Sequence, residues 1–114
     1  MWIADLISQD MRSHQWIDER SLALHEAVAA RLEAEPQLLE VARANLKRWL
    51  AASPAAPFRE WQRLLDTLPL PQLLQLLRSP DAAAARLRQS SPFAGLLTPA
   101  ERQAILSRYE SSLA

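Results

Sequence analysis

Asp18, Ser21 and His25 lie on one face of a predicted helix and have the residue types of a hydrolytic triad. In such a triad the histidine takes a proton from the serine while a carboxylate orients the imidazole. The imidazole must bridge groups that approach from different directions, and an oxyanion site must lie nearby. Three parallel side chains on one helix provide neither. We interpret the trio as a solvated helix face and predict that the chain is not an enzyme.

Asp10 and His14 have a spacing that is compatible with metal binding, because residues four apart face the same side of a helix. The chain has only two histidines and no cysteine, and neither Glu-x-x-His nor His-x-x-x-His occurs in it. One acid and one histidine do not complete a coordination sphere. The sequence therefore predicts no metal site and no cofactor.

Basic side chains are clustered at two places, Arg43 with Lys47 and Arg48, and Arg86 with Arg88. The chain has 13 basic and 13 acidic residues, so its net charge of zero lacks the basic excess of proteins that bind nucleic acid through phosphate contacts. On a neutral protein such residues more often pair with acids, here Glu40 or Glu33. We do not expect this chain alone to bind nucleic acid.

Residues 58–78 also fail as a helix-turn-helix motif. The second helix would have to present polar side chains to the base edges in the major groove. It carries four leucines, and Gln72 and Gln75 are its only side chains able to read a base.

Residues 87–102 hold the only glycine of the chain, Gly95, together with Pro92 and Phe93. Two interpretations stay open. In the structural one, Gly95 permits a positive φ, Pro92 stiffens the loop and Phe93 fills the core. In the functional one, an exposed Phe93 with nearby arginines forms a contact site, because aromatic and Arg side chains dominate interface energetics. The partner-binding residues predicted on this basis, with two tryptophans near the N-terminus, are Trp2, Trp16, Arg86, Arg88, Phe93 and Arg102.

The length and the 49% share of hydrophobic residues suit one domain with one core. Apolar residues recur at helical spacing and no strand-like alternation is found, so we predict an all-α protein, a compact bundle of about five to six short helices. Residues 1–17 are predicted to be a loosely docked or disordered arm, and residues 18–114 a single helical domain. Trp49 and Trp61 are predicted to lie in the core.

Prolines and capping residues place the helix boundaries. Thr98-Pro99-Ala100-Glu101 is typical of a capping box. Ser79-Pro80-Asp81 predicts a cap, a first-position proline and a first-turn acid. The predicted helices span about 18–34, 36–51, 57–68, 72–77 and 80–89, and the last begins at 99.

No apolar run approaches the ~20 residues of a membrane span, and Asp5 with no basic residue before it argues against a signal peptide. With no cysteine there is no disulfide that would need an oxidising compartment. We therefore expect a cytoplasmic protein.

At residues 87–102, 18–25 and 42–46 the sequence resembles short bacterial helical proteins of toxin–antitoxin-like gene pairs. The resemblance spans most of the chain from Asp18 onward. It implies an antitoxin-like protein that covers the active site of a partner toxin encoded nearby. Many such antitoxins also bind their own promoter, and this chain lacks an evident DNA-binding element.

The predicted function is thus a non-catalytic protein-binding module, antitoxin-like, that neutralises a partner toxin or enzyme. The alternatives are a DNA-binding transcriptional regulator and a homodimeric structural protein. No membrane partner is expected.

Overall fold

The computed structural model describes the backbone of residues 2–113 and the side chains of residues 16–109. The described chain is all-α, as predicted, and contains no strand. Within residues 2–113, six α-helices and a one-turn 3₁₀ helix, Pro36–Leu38, follow one another. The α-helices are α1 (Trp2–Ala34), α2 (Leu39–Ala52), α3 (Ala56–Thr67), α4 (Leu70–Arg78), α5 (Ala82–Arg88) and α6 (Pro99–Leu113).

The first helix is longer than predicted, because its backbone is helical from Trp2 rather than from Asp18. The polar residues that precede Trp16 have adequate helix propensity, and they continue a helix whose C-terminal half is packed against the bundle. At 33 residues α1 has a length of about 50 Å at 1.5 Å per residue, which matches the 50 Å long axis of the molecule.

Prolines end or open the helices between α1 and α4. Pro36 lies at the start of the 3₁₀ turn, and Pro57 and Pro71 lie in the first turns of α3 and α4. A proline is tolerated there because the N–H that it lacks would have no partner within the helix. The fourth helix, predicted to begin at Gln72, begins at Leu70 and includes Pro71.

Side-chain caps begin the last two helices. The Asp81 carboxylate accepts a hydrogen bond from the Ala84 N–H at 2.8 Å, so Asp81 rather than Ser79 is the cap of α5. At α6 the predicted capping box is confirmed. The Thr98 hydroxyl accepts from the Glu101 N–H at 3.1 Å, and the Glu101 carboxylate accepts from the Thr98 N–H at 2.9 Å.

One continuous apolar core joins all parts of the bundle from α1 to the loop between α5 and α6. The first helix packs against α4, α5 and α6, and α2 packs against α3. Trp61 is fully buried, as predicted, and its indole N–H donates to the Leu87 carbonyl oxygen at 2.8 Å. Trp49 lies at the edge of this core, only partly buried. The apolar face of α4, formed by Leu73, Leu74 and Leu77, is turned inward.

Candidate functional site

The loop between α5 and α6 is held against α2 by one side chain. The Asn45 amide donates to the carbonyl oxygens of Pro92 and Ala94, at 2.9 Å each. Gly95 follows with a φ of 90°, a conformation that residues with a Cβ rarely adopt. The predicted role of Gly95, to permit a positive φ, is confirmed.

Phe93 does not lie on the surface. It is 5% exposed, and its ring meets the Trp61 ring edge to face, with centroids 5.4 Å apart. The structural interpretation of Phe93 is thus the correct one in this conformation. A core aromatic cannot touch a partner unless the loop opens, which corrects its selection as a contact residue.

Arg88 is buried as well, with 5% of its surface exposed. Its Nη1 donates to the Ser79 carbonyl oxygen at 2.6 Å, and its Nε has no hydrogen-bond partner. Burial lowers the pKa of Arg88, although the negative charges of Asp18, Asp81 and Glu26 act in the opposite direction. Arg88 is therefore not the surface contact that the sequence predicted, because the last turn of α5 lies against the bundle.

Two of the predicted contact residues are exposed. Arg86 forms a two-pronged contact with the Glu60 carboxylate, at 3.0 and 3.2 Å, which raises the pKa of Arg86 and lowers that of Glu60. Arg102 lies on the first turn of α6 and forms no ion pair with any of residues 16–109. Both guanidinium groups are accessible to a partner.

Trp16 is half-buried rather than free. Its indole N–H donates to the Tyr109 carbonyl oxygen at 3.1 Å, and the Arg20 guanidinium lies 4.7 Å from its ring centroid. Trp2, and the possible metal ligands Asp10 and His14, have side chains outside the described residues. Residues 16–109 contain no group of three side chains that could hold a metal ion.

His25 is 8% exposed, so the prediction of a solvated helix face is wrong for this residue. Its Nδ1 lies 2.7 Å from the Ser21 carbonyl oxygen. Since a carbonyl oxygen only accepts, Nδ1 carries the proton, and Nε2 then accepts from the Ser91 hydroxyl at 2.7 Å. The Ser21 hydroxyl lies 3.4 Å from Nδ1, but Asp18 is exposed and Ser91 holds the position next to Nε2, so the predicted trio does not form a triad.

The pKa of His25 is lowered, chiefly because burial disfavours the charged ring. The hydrogen bond to the Ser21 carbonyl opposes this shift, and the Arg88 charge adds to it. Chemically the pair is a neutral imidazole bound to a serine, with no carboxylate hydrogen-bonded to the ring. Ser91 was missed by sequence reasoning, because a contact between residues 66 positions apart leaves no trace in local spacing.

Two depressions of the surface meet at Ser91. The first, the aromatic groove, has a volume of about 440 Å³ and is lined by Trp49, Ala52, Ser53, Phe58, Gln89, Ser90 and Ser91. The second, the histidine cleft, has a volume of about 370 Å³ and is lined by Leu24, His25, Val28, Ser91, Phe93, Ala94, Gly95, Leu97 and Arg102. In the described chain, these are the two surface depressions that are lined both by apolar side chains and by polar groups of the loop.

The basic cluster of α2 is partly neutralised, as the sequence indicated. Arg43 pairs with Asp66 at 2.5 Å and with Glu40 at 3.5 Å. Glu33, the other acid expected to pair with a basic cluster, instead pairs with Arg78 of α4 at 3.0 Å. Lys47 and Arg48 have no acidic partner among residues 16–109, and the Arg48 guanidinium instead donates to the Asn45 side-chain oxygen at 2.8 Å.

In the described part of the chain no helix combines the length and the apolar character that crossing a membrane requires. Comparison with protein families, with curated proteins and with solved structures found no match to this chain.

Proposed function

We propose that the chain is a non-catalytic protein-binding module, antitoxin-like, that neutralises a partner enzyme encoded by a neighbouring gene. The observation that supports this most directly is the aromatic groove. Its floor is formed by Trp49 and Phe58, whose ring centroids are 5.4 Å apart at a tilt of 44°. Both rings pack on the core and are still partly exposed.

Trp49 and Phe58 give the groove two partly exposed aromatic rings that a partner could cover. Tryptophan is among the residues that contribute most to binding at interfaces, and a pocket that excludes water is where such residues contribute best. The helix-end residues Ala52 and Ser53 form one wall, and the loop residues 89–91 form the other. The groove has room for one large apolar side chain of a partner.

A charge that is next to Trp49 in the sequence suggests the character of that partner. Arg48 precedes Trp49 on α2 and has no carboxylate among residues 16–109 within ion-pairing distance. A partner segment with an apolar anchor and an acidic neighbour would complement this edge. Arg86 and Arg102, selected from the sequence, add accessible guanidinium groups to the same module, whereas Phe93 and Arg88 contribute by holding the loop in place.

DNA binding and homodimerisation remain the alternatives, and neither has a comparable observation in its favour. The exposed side chains of α4 include Gln72 and Gln75, while Leu73, Leu74 and Leu77 are buried. A helix whose leucines form part of the core offers few groups to a major groove.

Co-expression with the product of the adjacent gene tests the proposal. We expect that gene product to arrest growth and this chain to restore it by binding the product directly. Ala52→Arg fills the mouth of the aromatic groove from an exposed position and should weaken the complex about 100-fold, as for the loss of a central interface contact. Ala30→Arg, on an exposed position of α1 that lines neither depression, is the matched control and should leave binding unchanged.

Three results would contradict the proposal: a harmless neighbour, a toxic neighbour that this chain does not bind, or equal binding by the two arginine variants. Raising the salt concentration separates the alternatives. Binding to DNA should weaken steeply because counterions are released, while an apolar protein interface should be largely insensitive. Native mass spectrometry of the chain alone reveals a homodimer.

A further inference from the structure

The histidine cleft is separate from the aromatic groove and lies on the other side of the loop, between the loop and α1. Its volume of about 370 Å³ falls in the range of about 300–1,000 Å³ that is typical of small-molecule sites. Val28 and Phe93, both buried, contribute to its walls together with Leu24 and Leu97. Most of the cleft is therefore apolar.

The polar groups of the wall are uncharged. Both nitrogens of His25 are already hydrogen-bonded, one to the Ser21 carbonyl oxygen and one to the Ser91 hydroxyl, each at 2.7 Å. The ring is thus fixed in a single orientation. Neither the ring nor the hydroxyl supplies a charge that would attract or repel an ion.

The charge at the cleft comes from Arg102. The nearest acid in sequence, Glu101, is already engaged, because its Oε1 accepts from the Thr98 N–H and also contacts the Arg31 guanidinium. Arg102 itself is exposed, lines the cleft and has no ion pair among residues 16–109. An apolar cavity with one uncompensated guanidinium is complementary to a molecule with an apolar body and one anionic end.

We propose that the histidine cleft binds a small free carboxylic acid with an apolar tail. The tail lies against Leu24 and Leu97, the partly exposed leucines of the cleft, and the carboxylate pairs with the Arg102 guanidinium. This inference goes beyond the proposed function and does not depend on it, since it involves a different cavity and a different kind of ligand.

The test is a titration of the full chain with octanoate at pH 7, followed by amide chemical shifts in a nitrogen–proton correlation spectrum. Gly95 is the only glycine and lines the cleft, so its amide is an unambiguous reporter. We expect a saturable shift of the Gly95 signal with octanoate. Octylammonium has the same tail and the opposite charge, and it should bind about tenfold more weakly or not at all, because it cannot pair with the Arg102 guanidinium and is repelled by it.

A pair of variants on α6 isolates the role of the guanidinium. Arg102→Glu should weaken octanoate about tenfold or more, whereas Arg108→Glu changes an exposed arginine of the same helix outside the cleft and should have no effect. The inference is overturned if octanoate gives no saturable shift, if octylammonium binds equally well, or if the two variants behave alike. Shifts confined to residues outside the cleft would also overturn it.

Discussion

His25 shows how one buried side chain can link distant parts of a small helical protein. It lies on α1, its ring reaches Ser91 in the loop, and Phe93 packs near it with ring centroids 6.3 Å apart. The ring is neutral, because burial lowers its pKa and the positive charge of Arg88 on α5 adds to the shift. Three carboxylates act on the same buried guanidinium and favour its charged form, those of Asp18, Asp81 and Glu26.

The lowered pKa predicts a loss of stability in mild acid. The unfolded chain, with an ordinary histidine pKa near 6.5, takes up a proton more readily than the folded chain does. The contribution of the neutral ring to the free energy of unfolding is complete above pH 6.5 and is lost as the pH falls toward and through the lowered pKa. Urea unfolding of the wild type between pH 7 and pH 5 should therefore show decreasing stability.

His25→Gln should reduce that pH dependence, because it removes the ring that is harder to protonate in the folded chain than in the unfolded chain. Gln72→His, which adds a histidine at an exposed position of α4, is the matched control and should retain the wild-type slope. Identical slopes for the wild type and His25→Gln would refute the assignment. The carboxylates of Glu60, Asp81 and Glu101, whose pKa values are lowered, lose their contributions in more acidic solution and do not interfere in this interval.

At the scale of single residues, the sequence shows which side chains are present but not which polar side chains are buried. Trp61 was predicted to lie in the core because it belongs to a dense apolar stripe. Arg88 and His25 were assigned to the surface because polar residues usually lie there, and both proved to be buried. Their burial depends on how α5 and the loop cross α1, and spacing along one helix does not encode that crossing.

At the scale of elements, the loop between α5 and α6 acts as a part of the core. It has no regular secondary structure, yet it supplies Phe93 and Leu96 to the apolar cluster and receives two hydrogen bonds from α2. The two depressions described above have this loop as a shared wall. Its position therefore controls the shape of both.

Asn45→Asp should destabilise the loop and with it the fold. The aspartate has nearly the same shape, but it cannot donate to the carbonyl oxygens of Pro92 and Ala94 and brings negative charge against them. Leaving buried polar groups unsatisfied costs about 1–3 kcal/mol each, so we expect a loss of about 3 kcal/mol in the free energy of unfolding. Chemical denaturation of the variant and the wild type measures this loss in the free energy of unfolding.

Gln103→Glu makes the same amide-to-acid change at an exposed position of α6 and should alter stability by about 0.5 kcal/mol or less. If Asn45→Asp were equally mild, the two hydrogen bonds to the loop would not be important for its position.

Element boundaries were the most predictable part of the structure, because prolines and caps act locally. Thr98 and Glu101 form the predicted capping box, and Pro36 and Pro57 lie at predicted boundaries. The largest error concerns α1, which begins at Trp2 rather than at Asp18 and has no proline or cap to mark its start; at α5 two cap candidates compete. Ser79 and Asp81 are both good caps, and Asp81 caps the helix while the Ser79 hydroxyl donates to the Asp81 carboxylate at 2.9 Å.

On the scale of the whole molecule, α1 is the element that α4, α5 and α6 pack against, while α2 packs against α3. Val28, Ala29 and Leu32 from its C-terminal half enter the core beside residues of α2 to α5. The all-α bundle follows from the helical periodicity of the sequence. The candidate binding sites do not, since both lie where segments distant in sequence meet.

A single core predicts a single unfolding transition. Urea unfolding followed by far-ultraviolet circular dichroism and by tryptophan fluorescence should give the same midpoint. Leu77→Ala, which removes a fully buried side chain of α4, should lower the stability measured by both signals by about 2–5 kcal/mol. Two separate midpoints would mean that part of the bundle unfolds independently of the rest.

Ser91 lines the aromatic groove and the histidine cleft at once. A molecule in one opening that turns this hydroxyl away from His25 would change the wall of the other opening as well. Thermodynamic linkage would then make the effect reciprocal: the factor by which a small acid changes affinity for a protein partner would equal the factor by which that partner changes affinity for the acid. Any coupling between the two openings would therefore have to pass through the wall that they share at Ser91.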